Sequence, residues 1–144
     1  MHISAKVSYG LRAVLDLSLH EGQGYVQSAD IASRQSIPES YLVQLLNLLR
    51  KSGLVRSTRG PKGGHELMRR PDEIHVGDVL AALDGPVDLL GKGEPNSDVN
   101  VEQDVLLAVW TEVEQAINGV LTSVTFADLC QRHRMSRSNV TFRI

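Results

Sequence analysis

Apolar residues recur with a helical period along most of this chain and give way to short, punctuated runs near its middle. Stripes spaced by three and four residues predict helices over 6–21, 29–35, 38–52, 76–83, 101–121 and 126–133. Two runs too short for helices predict strands at 54–57 and 65–68, on either side of a loop at 58–64 that is rich in glycine and cations. Residues 25 and 26 are long enough only for an isolated bridge.

The ends of several predicted helices carry residues that favour starting or stopping a helix. Ser28 is expected to cap the N-terminus of the second helix, and Thr125 that of the last. Pro38 suits a first helical position because its φ is already near the helical value, and Gly53 suits the position that follows a helix. Helix, turn, helix, strand, loop, strand is the order of a winged helix-turn-helix, so we expect a mainly α fold with a small wing.

The helix predicted at 101–121 carries two neighbouring apolar stripes. They comprise Val105, Val109, Val113, Ala116 and Val120 on one side, and Leu106, Trp110, Ile117 and Leu121 beside them. One stripe is enough to pack a helix on a small domain. The second predicts a partner helix, which in a chain this short would be the same helix of another subunit. A helix buried on two sides within one subunit is the alternative.

The charge of the chain is divided unevenly, although its net value is only −2. Up to Arg70, ten Lys and Arg residues stand against five Asp and Glu, which leaves +5, whereas the rest of the chain carries −7. Phosphate binding requires only a local cationic surface, so this imbalance favours nucleic acid as a partner; a solvated basic face is the alternative. The regions expected are a winged helix-turn-helix DNA-binding domain at 1–86, an exposed loop at 87–100, and a dimerisation helix with a tail at 101–144.

Several classes of protein and site lack support in the sequence. No apolar run approaches the roughly 20 residues needed to cross a bilayer, and no signal peptide is recognisable, so we expect a cytoplasmic location without a membrane partner. The five histidines show no metal-ligand spacing. Neither a nucleophile elbow nor a phosphate-binding loop is recognisable. We therefore expect no metal site, no catalytic residues and no enzyme activity.

The second helix of a helix-turn-helix enters the major groove with its N-terminal residues at the base edges. Base contacts are therefore predicted for Ser40, Tyr41 and Gln44, and the Gln44 amide has the donor and acceptor needed to read adenine. Arg59, near the tip of the wing, could reach a phosphate or a minor groove. We predict phosphate contacts from Lys6, Tyr9, Arg34, Arg50, Lys51, Arg56 and Lys62.

Nearly the whole chain resembles the Rrf2 family of bacterial transcriptional regulators. The resemblance is carried by Ala5-Lys6, Tyr9, Arg12-Ala13, Leu15-Asp16-Leu17, Ile31-Ala32, Arg34-Gln35, Ile37, Ser40-Tyr41-Leu42, Gln44-Leu45, the run from Leu49 to Val55, Arg59-Gly60-Pro61, Gly63-Gly64, Ile74 and Val76-Gly77-Asp78-Val79. It implies a homodimeric winged helix with a long, crossing C-terminal helix, which binds double-stranded DNA. By position, it implies major-groove contacts at Ser40, Tyr41 and Gln44 and minor-groove contacts at Arg59 and Gly60. Pro38 and Val43 stand where other members often carry polar or acidic side chains, which leaves the operator sequence open.

One departure from the family concerns its sensor. Many members hold three cysteines between the positions of Leu83 and Trp110 and bind an iron–sulfur cluster there, whereas residues 87–107 of this chain contain neither Cys nor His. Thiolates are the ligands that such clusters need, so no cofactor is expected. The chain is similar instead to the cluster-less branch typified by the repressor of cysteine metabolism. That similarity implies a link to sulfur metabolism and a protein effector such as cysteine synthase; a small molecule bound near the dimer helices is the other option.

Two alternatives to an effector-controlled DNA reader are left open. Cys130, the single cysteine, lies near Arg132, His133 and Arg134, and such cationic neighbours would favour a reactive thiolate and a redox switch. A small, partly buried apolar side chain is the other interpretation of Cys130. The winged helix could also serve protein interactions, in which case loss of Gln44 or Arg59 would be tolerated.

Overall fold

Helices dominate the computed structural model, which describes residues 2–90 and 101–142. Its elements in chain order are α1 (Ala5–Leu19), α2 (Ser28–Gln35), α3 (Glu39–Lys51), β1 (Val55–Thr58), β2 (Gly64–Leu67), a 3₁₀ turn (Pro71–Glu73), α4 (Val76–Asp84), α5 (Val101–Ser123) and α6 (Phe126–Phe142). The mainly α fold with a winged helix-turn-helix is thereby confirmed. Most of the loop predicted at 87–100 lies outside the described residues.

The core forms where α1 packs against α2, α3, α4 and α6. The leucine stripe of α3, formed by Leu42, Leu45, Leu46 and Leu49, is buried throughout, and Phe126 of α6 lies in the same cluster. Each such side chain contributes about 1.5–3 kcal/mol when it leaves water, so this face of α3 is strongly fixed. The opposite face of α3 is consequently turned outward.

The wing is an antiparallel hairpin that is also tied to the chain before α2. Strands β1 and β2 pair from Val55 opposite Leu67 to Thr58 opposite Gly64. Val26 forms the predicted isolated bridge with His65 through two backbone hydrogen bonds of 2.8 Å. A Cβ at Gly64 would collide with the backbone of Val26, so the close approach requires glycine.

Two helix starts differ from the prediction. Ser28 is the first residue of α2 and not its cap; Gln27 holds the capping position without a side-chain hydrogen bond. Pro38 holds the capping position of α3 and not its first helical position, because its ψ of 124° is extended. The turn from Ser36, which has a left-handed φ of 54°, needs that extended residue before α3 can begin.

The last helix is longer than predicted. Thr125 caps it as expected: its hydroxyl accepts from the Asp128 amide at 3.1 Å, and the Asp128 carboxylate accepts from the Thr125 amide at 3.0 Å. The helix then continues to Phe142, whereas the sequence pattern ended at 133. Apolar periodicity stops there, but neither glycine nor proline follows before 142 to break the helix.

Helix α5 packs on its own subunit only near its C-terminal end. Gly77 of α4 lies close to the Leu121 backbone and Cβ of α5, which places the two helices in contact there. No residue of α5 is buried over its described length, and Val105, Leu106 and Trp110 are 60%, 61% and 50% exposed. The alternative of a helix buried on two sides within one subunit is therefore wrong. Within residues 2–90 and 101–142, every helix is too short or too polar to cross a membrane.

Candidate nucleic-acid interface

The outward face of α3 carries the residues predicted to read bases. Ser40, Val43 and Gln44 are exposed, whereas Tyr41 is half-buried. The Tyr41 ring meets the ring of Tyr9 from α1 edge-on, with centroids 5.8 Å apart. Burial of the leucine face leaves the polar side chains of α3 no role in the core, so they form an open surface at its N-terminal half.

The wing presents an exposed, cationic tip. Arg59, Gly60 and Lys62 are all exposed, and Gly60 has a φ of 109° that favours glycine. The side-chain amide of Gln27 donates a 3.2 Å hydrogen bond to the Pro61 carbonyl, which links the tip to the residue before α2. The wing is thus held on the same subunit surface as the start of the helix-turn-helix.

Four of the predicted phosphate contacts, on α3 and the wing, fall into two groups by their present partners. Lys51 and Lys62 are exposed on α3 and the wing. Arg50 donates to the Asn47 side chain at 2.7 Å, and Arg56 forms a 2.6 Å ion pair with Glu66 on the neighbouring strand. These pairs are exposed, so water and salt weaken them and a DNA phosphate could compete.

Arg34 is engaged inside the fold. Its Nε and Nη2 each donate a 2.9 Å hydrogen bond to the carboxylate of Asp16, which is 1% exposed. Burial raises the pKa of Asp16, but hydrogen bonds from Arg34 and Gln35 outweigh it and hold that pKa below its ordinary value. The bidentate pair joins α1 to α2, a role that the phosphate prediction did not include. The sequence signal for this pair was Asp16, an acidic residue that stands between the apolar Leu15 and Leu17 of α1.

Arg12 also lies near this surface, and the sequence predicted no contact for its side chain. Its Nη1 donates a 2.9 Å hydrogen bond to the Gln35 carbonyl, and its guanidinium carbon lies 4.7 Å from the centroid of the Tyr9 ring. Tyr9 is therefore packed between Arg12 and Tyr41. The contact with Tyr41 places Tyr9 beside α3.

The surroundings of His65 and Cys130 favour the uncharged form of each side chain. Burial lowers the pKa of His65, whose Nδ1 lies 2.7 Å from the Ser57 hydroxyl, and so favours the neutral ring. Cys130 is 2% exposed, and burial raises the pKa of its thiol despite the nearby Arg134. The expectation that cationic neighbours favour a thiolate there is wrong, because loss of water outweighs them. The described residues contain no cluster of three or more groups able to hold a metal ion.

A groove separates the N-terminal part of α1 from α4 and α5. It has a volume of about 560 Å³ and is lined mainly by apolar side chains, among them Ile3, Val7, Leu11, Leu80 and Ile117. Its far wall is the C-terminal half of α5, beside the exposed apolar stripe. The groove thus lies on the side of α1 that Tyr9 does not use.

Comparison with known proteins identifies the family and the fold. The Rrf2 family model, described as an iron-dependent transcriptional regulator, matches residues 3–132. The transcriptional regulator IscR of Serratia proteamaculans is 39% identical over 129 residues, which are 90% of this chain and 79% of that protein. Among solved structures, IscR of T. potens has a TM-score of 0.77 at 39% identity, covering 92% of this chain and 88% of its own. CymR of B. subtilis, described as the global cysteine regulator, has a TM-score of 0.76 at 35% identity, covering 92% and 98%. These relatives are regulators and not enzymes, and the match runs from Ile3, two residues before α1, into α6, so the chain belongs to the Rrf2 family of DNA-binding transcriptional regulators.

Proposed function

We propose that two copies of this protein read a pseudo-palindromic operator, with α3 in the major groove and the wing at 58–64 in the minor groove. One observation carries the proposal. The leucine face of α3 is fully buried while Ser40 and Gln44 stay exposed, and hydrogen bonds from Gln27 to the Pro61 carbonyl and from Ser28 to Glu39 connect the wing with the start of α3. A recognition helix needs its apolar side committed to the core so that the polar side is available to base edges.

The exposed side chains of α3 suit particular base contacts. The Gln44 amide can pair with N6 and N7 of adenine, and the Ser40 hydroxyl can donate to or accept from either base of a pair. Val43, 48% exposed, offers an apolar contact to a thymine methyl group. Tyr41 and Tyr9 present hydroxyl groups beside this set. The cations of the wing and of the C-terminal end of α3 would set the register on the phosphates.

The exposed apolar face of α5 supports a homodimer. The residues proposed to form it are exposed at Val105, Leu106, Val109, Trp110 and Val120 and half-buried at Val113, Ile117 and Leu121. Contiguous apolar surface of this extent is unusual on a monomer, and pairing two such helices removes it from water. Two recognition helices would then address half-sites about one helical turn, or a multiple of it, apart.

The donor atoms of this chain do not fit a cysteine-ligated iron–sulfur cluster. Cys130 is its single cysteine, and its sulfur is buried near Ser18, Glu21 and Arg134 and not beside α5. A cluster needs several thiolate or imidazole ligands at one place. We therefore propose regulation without a cluster, although the family description names iron. The raised pKa of Cys130 also argues against its use as a thiolate switch.

The regulated pathway is proposed from likeness alone. The CymR structure, which matches 92% of this chain, is described as that of the global cysteine regulator. We propose a role in sulfur or cysteine metabolism on that basis. The signal would come from a partner enzyme such as cysteine synthase, or from a small molecule in the 560 Å³ groove between α1, α4 and α5.

Selection of genomic DNA fragments by the purified protein at near-physiological salt tests the proposal. We expect an inverted repeat whose neighbouring genes name the pathway. Q44A should cost about 1–3 kcal/mol on that operator and relax specificity at one position. R50A should weaken specific and random DNA alike and flatten the salt dependence.

The control variant is Q115A, which removes an exposed amide from α5 and should bind as wild type. Equal losses of Q44A on operator and random DNA would contradict its role as a base reader. Recovery of fragments without a common motif would contradict sequence-specific binding by the protein alone and favour an obligatory partner.

A further inference from the structure

Arg12 and Asp16 of α1 hold the residue at which the helix-turn-helix turns. Gln35 is the last residue of α2, and its carbonyl oxygen accepts a 2.9 Å hydrogen bond from Arg12 Nη1. Its side-chain amide donates a 3.1 Å hydrogen bond to the Asp16 carboxylate, one helical turn further along α1. Ser36 follows with its left-handed φ of 54° and begins the turn into α3. The direction of α3 therefore depends on contacts that α1 makes with Gln35.

A second route leads from Arg12 to α3 through two aromatic rings. The Arg12 guanidinium lies over the Tyr9 ring, and Tyr9 meets Tyr41 at an interplanar angle of 75°. Both kinds of contact depend on orientation, so each restricts the next ring. Arg12 Nε is buried and has no hydrogen-bond partner among the described residues. An N–H group that is buried without a partner is costly, which favours a specific role for this half-buried side chain over simple packing.

We propose that Arg12 is a positioning residue for DNA recognition, which holds Tyr41 and the turn before α3 in the DNA-binding orientation without touching DNA. This rests on the proposed contact of Tyr41 with DNA. Nη1 donates to the Gln35 carbonyl and the guanidinium lies over the Tyr9 ring, so the contacts of this cation are made within the subunit. Loss of Arg12 should therefore misplace Tyr41 and not remove a phosphate partner.

Salt dependence separates these two roles. A residue that neutralises one phosphate lowers the slope of log affinity against log salt by about 0.9 when it is removed. A positioning residue weakens binding at every salt concentration and leaves the slope unchanged. Coupling gives a second criterion, because a residue that acts partly through Tyr41 has a smaller effect once Tyr41 is absent.

The experiment measures the affinity of R12M, R12K, Y41A and R12M/Y41A for a selected operator over a range of salt concentrations. R12M keeps an unbranched apolar stem and removes the guanidinium. We expect R12M to weaken binding about tenfold at an unchanged slope, and R12K to recover part of the loss, since lysine keeps a cation near Tyr9 but not the planar fork. In the Y41A background, R12M should cost clearly less than about tenfold, and the remaining loss should reflect its contact with Gln35.

Proton NMR of the tyrosine rings reports the positioning directly. In R12M we expect the ring signals of Tyr9 and Tyr41 to move while the methyl signals of the leucine face of α3 stay in place. If R12M folds poorly, the same tyrosine ring signals are measured in R12K.

Three results would overturn the assignment: wild-type affinity of folded R12M and R12K, a slope lowered by about one, or a full loss that persists without Tyr41. A different result is expected if Tyr41 does not contact DNA. Y41A would then bind the operator as wild type, which refutes both the Tyr41 contact and the route through it. A loss in Y41A with none in R12M refutes only the role of Arg12.

Discussion

Replacing Arg34 with methionine separates an internal tie between α1 and α2 from a phosphate contact. R34M keeps most of the side chain but removes both 2.9 Å hydrogen bonds to the buried Asp16 carboxylate. Removing one partner of a buried pair typically costs about 3–5 kcal/mol, because the other charge is left unpaired. The Arg34 side chain is itself 40% exposed and Gln35 still donates to the carboxylate, so we expect a loss of about 2–3 kcal/mol in the free energy of unfolding.

The variant D16N provides the matched comparison. It removes the buried charge, keeps the shape of the side chain, and lets the partly exposed Arg34 return to water. We expect it to lower the free energy of unfolding by about 1–2 kcal/mol, less than R34M does. The double variant should also be more stable than R34M, because no unpaired buried charge remains.

The pH dependence of R34M has a definite sign. In the wild type, burial raises the pKa of Asp16, but hydrogen bonds from Arg34 and Gln35 hold it below its ordinary value of 3.8. A carboxylate whose pKa is depressed by folding stabilises the fold above its unfolded-state pKa, and that contribution is lost as the pH falls through the folded-state pKa. Without Arg34, burial acts with less opposition and the carboxyl takes up a proton at higher pH. The difference between R34M and wild type should therefore be smaller near pH 4 than near pH 7.

Urea unfolding followed by circular dichroism measures these differences, at one fixed protein concentration because a dimer's stability depends on it. DNA binding is measured in parallel under conditions where every variant is folded. Wild-type stability of R34M, together with weaker DNA binding and a salt slope reduced by about 0.9, would refute the internal role and assign Arg34 to phosphate.

Three further predictions concern the dimer, the wing and the thiol. W110E should dissociate the proposed dimer in analytical ultracentrifugation, because a charge would be buried between the α5 helices. Q115E, on the opposite side of α5, should leave the proposed dimer intact, and a dimeric W110E would exclude this face. G63A should weaken operator binding with little change in thermal stability, since a Cβ there collides with the Thr58 carbonyl and forces the wing loop to move; wild-type binding would show that the loop shape is unimportant. Cys130 should react with iodoacetamide at least about tenfold more slowly in the native than in the unfolded protein, and equal rates would contradict its burial and raised pKa.

The elements that were predictable depend on neighbours close in sequence. The buried stripe of α3, the positive φ of Gly53 and the reciprocal cap at Thr125 all follow from residues within one or two helical turns. The bridge at Val26 and the glycine-rich wing were recognisable for the same reason. The ends of α2, α3 and α6 were placed less well, because a turn conformation or the absence of a helix breaker decides them and apolar periodicity does not.

The roles of the residues that organise the interface depend on contacts between distant parts of the chain, so the sequence did not predict them. Asp16 and Arg34 are separated by 18 positions, and Arg12 and Gln35 by 23. Both arginines look like ordinary surface cations in the sequence, and only the packing of α1 on α2 shows that they act within the fold. Burial likewise favours one of the two interpretations of Cys130, the buried apolar side chain, since the cations near it in sequence matter less than its loss of water.

The sequence by itself determined the order of elements, the apolar side of each helix and the family, because helical and strand periods are local properties of the chain. Only the tertiary structure decided which cations face outward and which are held by partners, how Tyr9 and Tyr41 come together, and that α5 leaves its apolar face uncovered on a single subunit. Charge pairing, burial and ring contacts depend on the relative placement of whole helices. Their energies change with distance and access to water, neither of which is set by neighbouring residues in the chain.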